Sequence, residues 1–246
     1  EMEIHYDSLH AVELGAEVMS VIQDAAEQAS EQLADEKGPF PGVFLHPEIN
    51  SKAEYESALI GSNVRTHMKG AHDEKIKSLG LWRRNATVTC IAPTGSIAIL
   101  ANVSSGIEPH FALENTRTLG SGTVLEEKAY FPNAKGIHGN TFLPHTAMEI
   151  SERWHVEHQA AFQKHTHLAV SKTINLPNDA EVSDVHRAYV RMWDEGCKGG
   201  TVFRDKSRDK QVLVETTPSH PLGEAVKVEQ VSYFGITKEK AEKLET

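Results

Sequence analysis

Cysteine is scarce in this sequence, basic residues are outnumbered, and no apolar run is long. Only Cys90 and Cys197 occur among 246 residues, far apart and outside any Cys-x-x-Cys pattern. They complete no cysteine-based zinc pattern, and a reducing, cytoplasmic compartment is the expected setting. Lys and Arg number 25 against 35 Asp and Glu, a formal charge of −10. Such a balance argues against nucleic-acid binding through a basic surface, while leaving room for a small anion in one local pocket. The longest apolar stretch, Ile97 to Ala101 with Ile91 and Ala92 upstream, falls far short of the roughly 18 to 20 residues that span a bilayer. No basic segment followed by an apolar one opens the chain, so neither a membrane span nor a secretory leader is expected.

What is present suffices for a folded core: 39% of residues are hydrophobic and 24% charged, and the length fits one large domain or two modest ones. The first residue is Glu1 rather than Met, so the chain reads as processed or cut from something longer. From Ser8 to Lys37 the apolar Val12, Met19, Ile22, Ala26, Ala29 and Leu33 recur at helical spacing among Glu13, Glu17, Asp24, Glu27 and Glu31. One long amphipathic helix is expected, stopped by Gly38-Pro39. Short helices are expected over Ser51 to Leu59 and Asp73 to Leu79. Ala86 to Ala92 is rich in β-branched residues and reads as a buried strand ending at Pro93, with a helix starting near Ile97.

Residues 102–145 carry many Gly, Pro and Asn with little periodicity and are expected as long loops with short elements, where binding functions tend to sit. A second strong helix is expected from Thr146 to Val170, a strand over Ser171 to Leu176, a helix over Ser183 to Glu195 and a strand over Gly199 to Arg204. That alternation predicts an α/β fold with parallel strands and crossover helices. Beyond Val212 the signals weaken, apart from a Lys/Glu-rich helical stretch over Thr237 to Leu244.

The best local candidate for chemistry is Ala92-Pro93-Thr94-Gly95-Ser96, between the expected strand and helix. At such a junction the first N–H groups of the helix lack intrahelical partners and the dipole is positive, so a phosphate can be held there. The alternative is a tight turn with Ser96 as cap. The segment is neither a Walker motif nor a three-glycine dinucleotide fingerprint. His155, His158, His165 and His167 crowd together. His155 and His158 share a helix face and could make two metal ligands, but no partner completes a metal pattern, and surface, buffering histidines are the favoured reading. Cys90 reads as a small buried hydrophobe, and Cys197 as a packing residue that Lys198 could activate. Glu108, before Pro109 in a glycine- and serine-rich loop, is either a carboxylate aimed into a pocket or a solvated loop residue. Trp82, Trp154 and Trp193 are expected as core anchors.

Three stretches together resemble a known family: Arg84 to Ser96 (RNATVTCIAPTGS), Ser104 to Pro109 (SSGIEP) and Gly196 to Asp205 (GCKGGTVFRD). They are similar to the C-terminal part of the catalytic barrel of adenosylcobalamin-dependent (class II) ribonucleotide reductase. Gly38 to Pro41, Phe162 to Thr166, Ser171 to Pro177 and Ser207-Arg208 support the match in the same order. The resemblance implies an α/β fold, the C-terminal part of a ten-stranded α/β barrel, over residues 1–215, with 216–246 as a tail of uncertain structure. In that family a cysteine thiyl radical on a central finger loop removes the 3′-hydrogen of the substrate ribose. The family's Pro-Thr-Gly-Ser turn holds the substrate phosphates, a role that falls on Ala92, Pro93, Thr94, Gly95 and Ser96.

The departures from the family pattern are as informative. The finger loop's Asn-x-Cys-x-Glu pattern has no counterpart, since Cys90 precedes Ile91-Ala92 and Cys197 precedes Lys198-Gly199. No catalytic residue is therefore assigned to this chain. It is expected to be a fragment or split subunit, inactive alone, whose partner is an N-terminal barrel half carrying the cysteine. Such an incomplete barrel is expected to need its missing half for stability. The resemblance implies adenosylcobalamin as cofactor of the complete enzyme, a ribonucleoside diphosphate as substrate and a homodimer as a form of the complete enzyme. Thr201-Val202-Phe203 stands where the tyrosyl-radical subtype has adjacent tyrosines, which favours the cobalamin subtype. Two other readings are a noncatalytic barrel-like binding or regulatory module and a histidine-rich metal protein.

Overall fold

A computed structural model describes residues 4–45, 71–101, 103–118, 124–128, 144–207 and 213–215. The chain opens with helix α1, Leu9–Lys37. The Ser8 hydroxyl accepts from the Ala11 amide at 3.2 Å, and at the other end Gly38 takes φ 79° and donates its N–H to Ala34 O at 2.8 Å. Both ends thus stop where capping chemistry places them. A 3-10 turn, Pro41–Leu45, and helix α2, Ala71–Ser78, follow. Val43 and Ile76 bury themselves there against Phe40, Leu81 and Trp82. The short helix α3, Gly95–Ala101, starts directly after the Pro-Thr turn. The helix expected over 51–59, the one over 237–244 and the tail 216–246 lie outside the described residues.

The buried face of α1 differs from the expected one. Met19 is buried as expected, with Gly15, Gln23, Ser30 and Ala34, whereas Ile22 and Leu33 of the expected apolar set are exposed, as are Val18 and Val21. Close packing is the reason, because a Cβ on Gly15 would lie 2.7 Å from Cε2 of Phe162. Polar pairing completes the face. The Ser30 hydroxyl donates to Asn85 Oδ1 at 3.1 Å and accepts from the Asn85 amide at 2.9 Å. Gln23 Oε1 accepts from the Thr89 hydroxyl.

The second strong helix is shorter than its pattern: α4 spans Glu152–Lys164. Its apolar spacing beyond Lys164 belongs to an extended segment. The Leu168 amide donates to Thr89 O at 3.1 Å, Ile91 N to Ala169 O at 3.4 Å and Ser171 N to Ile91 O at 2.8 Å. The strand expected over 86–92 is correspondingly reduced to one parallel bridge, Ile91 to Val170. Side chains replace the rest of its ladder, with Val88 N donating to His167 Nδ1 at 3.1 Å and His167 N to Thr89 Oγ1 at 3.0 Å. Thr89 turns inward in this arrangement and Cys90 outward, so Cys90 is exposed rather than buried as expected.

The alternation of the C-terminal half forms as expected. Strand β3, Thr173–Leu176, leads through helix α5, Val182–Asp194, to strand β4, Thr201–Arg204, which pairs parallel to β3 with Ile174 opposite Val202. This βαβ unit and α4 together carry the main core: Val156 from α4 with Ile174, Leu176, Ala188 and Met192, and Val185, Cys197 and Val202 packed beside them. Trp193 faces outward and is 84% exposed, against its expected place in the core.

A feature the sequence patterning did not suggest sits between α3 and α4. Strands β1, Glu114–Thr118, and β2, Val124–Lys128, pair antiparallel, and β5, Leu213–Glu215, adds to the other edge of β1. Residues 114–118 are all polar (Glu-Asn-Thr-Arg-Thr), so they show no alternation to read. Among the described residues no helix is long and apolar enough to cross a membrane.

Candidate active site

The Pro-Thr-Gly-Ser turn and the Ser104 to Pro109 loop, eight residues apart in sequence, meet in space. Thr94 adopts φ 51°, a left-handed conformation that is costly for a β-branched residue. Its carbonyl accepts the first intrahelical bond of α3, from Ala98 N at 3.0 Å, so Thr94 and not Ser96 occupies the cap position. Its hydroxyl accepts from the Gly106 amide at 2.9 Å. Gly106 is itself left-handed at φ 55°, a conformation that favours glycine in this loop. Ala92, Pro93 and Ser96 are exposed and Thr94 and Gly95 half-buried, so the amides at the start of α3 are open to a ligand.

Beneath the loop lies a buried polar cluster. Glu108 is a pocket carboxylate rather than a solvated one: Oε1 accepts from the Thr173 amide at 2.6 Å, and Oε2 pairs with the Lys172 ammonium. The Lys172 side chain is fully buried. It donates to Glu108, to Thr173 O and, at 2.8 Å, to His155 Nδ1. An ammonium carries three donors, and here each meets an acceptor. Burial pulls the Lys172 ammonium below the usual lysine range, and the Glu108 carboxylate opposes that pull.

The tautomer of His155 follows from its partners. Nε2 lies 3.0 Å from Ala147 O and must donate to it, which leaves Nδ1 as the acceptor for Lys172. Burial, and then the Lys172 charge, push His155 down to about 3, so the ring is neutral. His158 donates from Nε2 to Tyr6 O at 2.6 Å, and its ring stacks on Tyr6 with centroids 3.8 Å apart. Burial lowers its pKa as well. Tyr6 closes the cluster: its hydroxyl donates to Ile107 O at 2.9 Å, and burial followed by the Glu108 charge holds the phenol well above its ordinary value.

The expectation of surface histidines is thus corrected for His155 and His158, because both are buried with their Nε2 atoms on backbone carbonyls. His167 pairs with Glu27 at 2.9 Å, and Arg83 reaches the same carboxylate at 3.1 Å. A different group brings metal-ligating atoms together: His5, Asp7 and His145 place one ligand atom each within 4.8 Å of one another. There Nδ1 of His145 lies 2.8 Å from the Asp7 carboxylate. Cys197 is half-buried beside the βαβ core, and burial, with Glu195 nearby, raises its thiol to about 11. Lys198 does not activate it, since the Lys198 ammonium is taken by the carbonyl of His167.

A cavity of about 380 Å³ lies apart from the turn, lined in part by Glu149, Glu152, Asp179 and Asp184. Its carboxylates repel an anion, and its size suits a drug-sized ligand at most, so a corrin ring does not fit there.

The sequence model described as "ribonucleotide reductase, barrel domain" matches residues 1–203. This chain belongs to the ribonucleotide reductase barrel family. It is 37% identical over 242 residues to the vitamin B12-dependent ribonucleoside-diphosphate reductase of Thermoplasma acidophilum, covering 88% of this chain and 28% of that protein. The enzyme of the same name from Mycobacterium tuberculosis strain H37Rv is 36% identical over 247 residues, covering 90% of this chain and 31% of the relative. The chain therefore spans about a third or less of these relatives. Among solved structures, the class Id ribonucleotide reductase alpha subunit of Actinobacillus ureae superposes with a TM-score of 0.54 at 20% identity, over 83% of this chain and 36% of that one, a likeness in fold.

In this reductase barrel segment, the sequence motifs located the turn and the loop above it, and the histidine cluster singled out His155 and His158 without their burial, but Tyr6 and Lys172 carried no signal that was read. Lys172 lies in the Ser171 to Pro177 stretch, whose pattern predicts only a strand. The available signal was the period-two spacing of Lys172 with Ile174 and Leu176, which puts the lysine on the same strand face as two apolar residues.

Proposed function

We propose that this chain is the C-terminal part of the catalytic barrel of an adenosylcobalamin-dependent ribonucleotide reductase acting on ribonucleoside diphosphates, with residues 1–215 forming the barrel portion. Ala92, Pro93, Thr94, Gly95 and Ser96 hold the substrate phosphates. The observation that carries this reading is the Thr94 hydroxyl bonded to Gly106 N at the open start of α3. It fixes the turn so that the amides of Gly95, Ser96 and Ile97, ahead of the first intrahelical bond, face an exposed surface. Free amides and the positive helix end stabilise a phosphate there, and Ser96 adds a hydroxyl donor.

This chain binds and orients the phosphate end of the substrate. The radical cysteine comes from an upstream barrel half, as a partner chain or as part of a longer chain, in a cytoplasmic enzyme that forms a homodimer. Adenosylcobalamin, when bound by the complete enzyme, supplies the radical.

Reconstitution tests the reading. The chain is mixed with an upstream half carrying Asn-x-Cys-x-Glu, together with adenosylcobalamin, a dithiol and a ribonucleoside diphosphate. Deoxyribonucleotide that depends on both chains and on cobalamin is expected. Gly95→Val, which places a branched side chain at the phosphate position, is expected to abolish diphosphate affinity with the far-ultraviolet circular dichroism unchanged. Two halves that associate and fold yet give no product would instead indicate a noncatalytic barrel-like module.

A further inference from the structure

The Lys172–Glu108 pair lies behind the loop, away from the exposed turn, yet every residue between Ser105 and Glu108 is fastened. Glu108 N donates to Ser105 O at 2.9 Å, closing the loop on itself. Ile107 O accepts the Tyr6 hydroxyl at 2.9 Å, and Gly106 N donates to Thr94 Oγ1 at 2.9 Å. The Glu108 carboxylate pins the loop to the start of β3 through Thr173 N and Lys172. A continuous path of hydrogen bonds therefore runs from the buried ammonium, through the carboxylate and one tight loop, to the hydroxyl of Thr94. That residue sits in a left-handed conformation that local sterics disfavour, so something must hold it there.

We propose that Lys172 and Glu108 are positioning residues for the phosphate turn: they set the height of the Ser105–Glu108 loop, and the loop's Gly106 amide holds Thr94, and with it the amides of α3, in the geometry that receives the substrate phosphates. The inference rests on the phosphate-binding reading of Ala92 to Ser96. Neither side chain touches substrate. Their effect is preorganisation, in which the donors are in place before the ligand arrives and an ångström of misplacement costs up to about a hundredfold.

The test uses the reconstituted enzyme and two substitutions. Glu108→Gln keeps the shape, removes the charge and turns one of the two acceptor oxygens into a donor, and because Glu108 is partly exposed it disturbs the fold less than a change at the fully buried Lys172. Lys172→Met keeps the length and removes all three donors. Both are assayed for affinity toward a ribonucleoside diphosphate and toward the nucleoside lacking phosphates, alongside thermal unfolding. Diphosphate affinity is expected to fall about tenfold to a hundredfold while nucleoside affinity stays within about twofold. KM is expected to rise more than kcat falls. A folded Glu108→Gln enzyme with unchanged diphosphate affinity overturns the proposal. So does an equal loss for diphosphate and nucleoside, which marks a merely structural role. Gly95→Val separates the two layers: if it leaves diphosphate affinity intact the phosphate reading itself fails, whereas if it abolishes affinity and Glu108→Gln does not, only the positioning role fails.

Discussion

Lys172 keeps a charge in a buried position because each of its N–H groups has an acceptor, and one of those acceptors, His155, can serve only while neutral. That requirement makes the cluster sensitive to acid in a direction that can be worked out. His155 titrates at about 3 in the folded chain and at its ordinary 6.5 when unfolded. The unfolded state therefore binds a proton first, and the contribution of His155 to stability is nearly constant above pH 6.5 and falls as pH drops from 6.5 toward 3. The loss amounts to about 1.4 kcal/mol per pH unit for this one group. His158, lowered by burial as well, adds to the same slope. Urea unfolding of the wild type is expected to lose about 1 kcal/mol more between pH 7.5 and 5.5 than that of His155→Gln. Parallel curves would show that His155 is not held neutral. Glu108, His155 and His158 stood out singly in the sequence, but their assembly did not, since Glu108 and Lys172 meet across 64 residues. The turn above it was legible, because Ala92-Pro93-Thr94-Gly95-Ser96 sets its turn-forming and hydroxyl residues in five consecutive positions.

At the scale of elements, the ends of α1 were readable, whereas its buried face and the cap of α3 were not. Ser8 and Gly38 bracket α1 where their backbone preferences put them, but the helix buries glycine, serine and glutamine while leaving Val18, Val21 and Ile22 exposed. Hydrophobic periodicity assumes that the largest apolar side chains point to the core. It fails where another helix approaches too closely for them. Gly15 against Phe162 is the decisive contact, and two opposing magnitudes bear on its replacement. Gly15→Ala gains about 1 kcal/mol of helix propensity, whereas a methyl 2.7 Å from an aromatic carbon forces the ring or the helix to move, at about 1–3 kcal/mol. The clash is expected to win, with Gly15→Ala destabilising by about 1 kcal/mol in urea unfolding and Gly15→Leu by considerably more. A stabilised Gly15→Ala would show that α1 and α4 sit further apart. The same logic explains the shortened α4, whose pattern runs on past Lys164 because the next segment is also half-buried, beside Thr89 and Ile91, in an extended conformation.

For the whole molecule, the βαβ unit of β3, α5 and β4 was legible because strand and helix periods alternate cleanly there, and the three-stranded antiparallel sheet was not, because Glu114 to Thr118 is polar throughout. The surfaces left over follow from the fold. Ile97, Leu100 and Val103, on and just after α3, are each 60% exposed or more, and Leu100 lies one turn beyond Ile97 on the same helix face. Burying side chains of this kind stabilises an interface by about 1.5–3 kcal/mol each, and the family's barrel has further strands to supply the cover. The chain by itself is therefore expected to associate with increasing concentration in sedimentation velocity, and to give a discrete complex with a raised unfolding temperature once the upstream half is added. Leu100→Glu, on a side chain that touches little within the chain, is expected to leave the circular dichroism unchanged and to weaken that complex about tenfold or more, since a carboxylate would be desolvated without a partner. A monomeric chain whose unfolding is unmoved by the upstream half would mean that this apolar stripe faces solvent in the assembled protein, and that the barrel closes along a different edge.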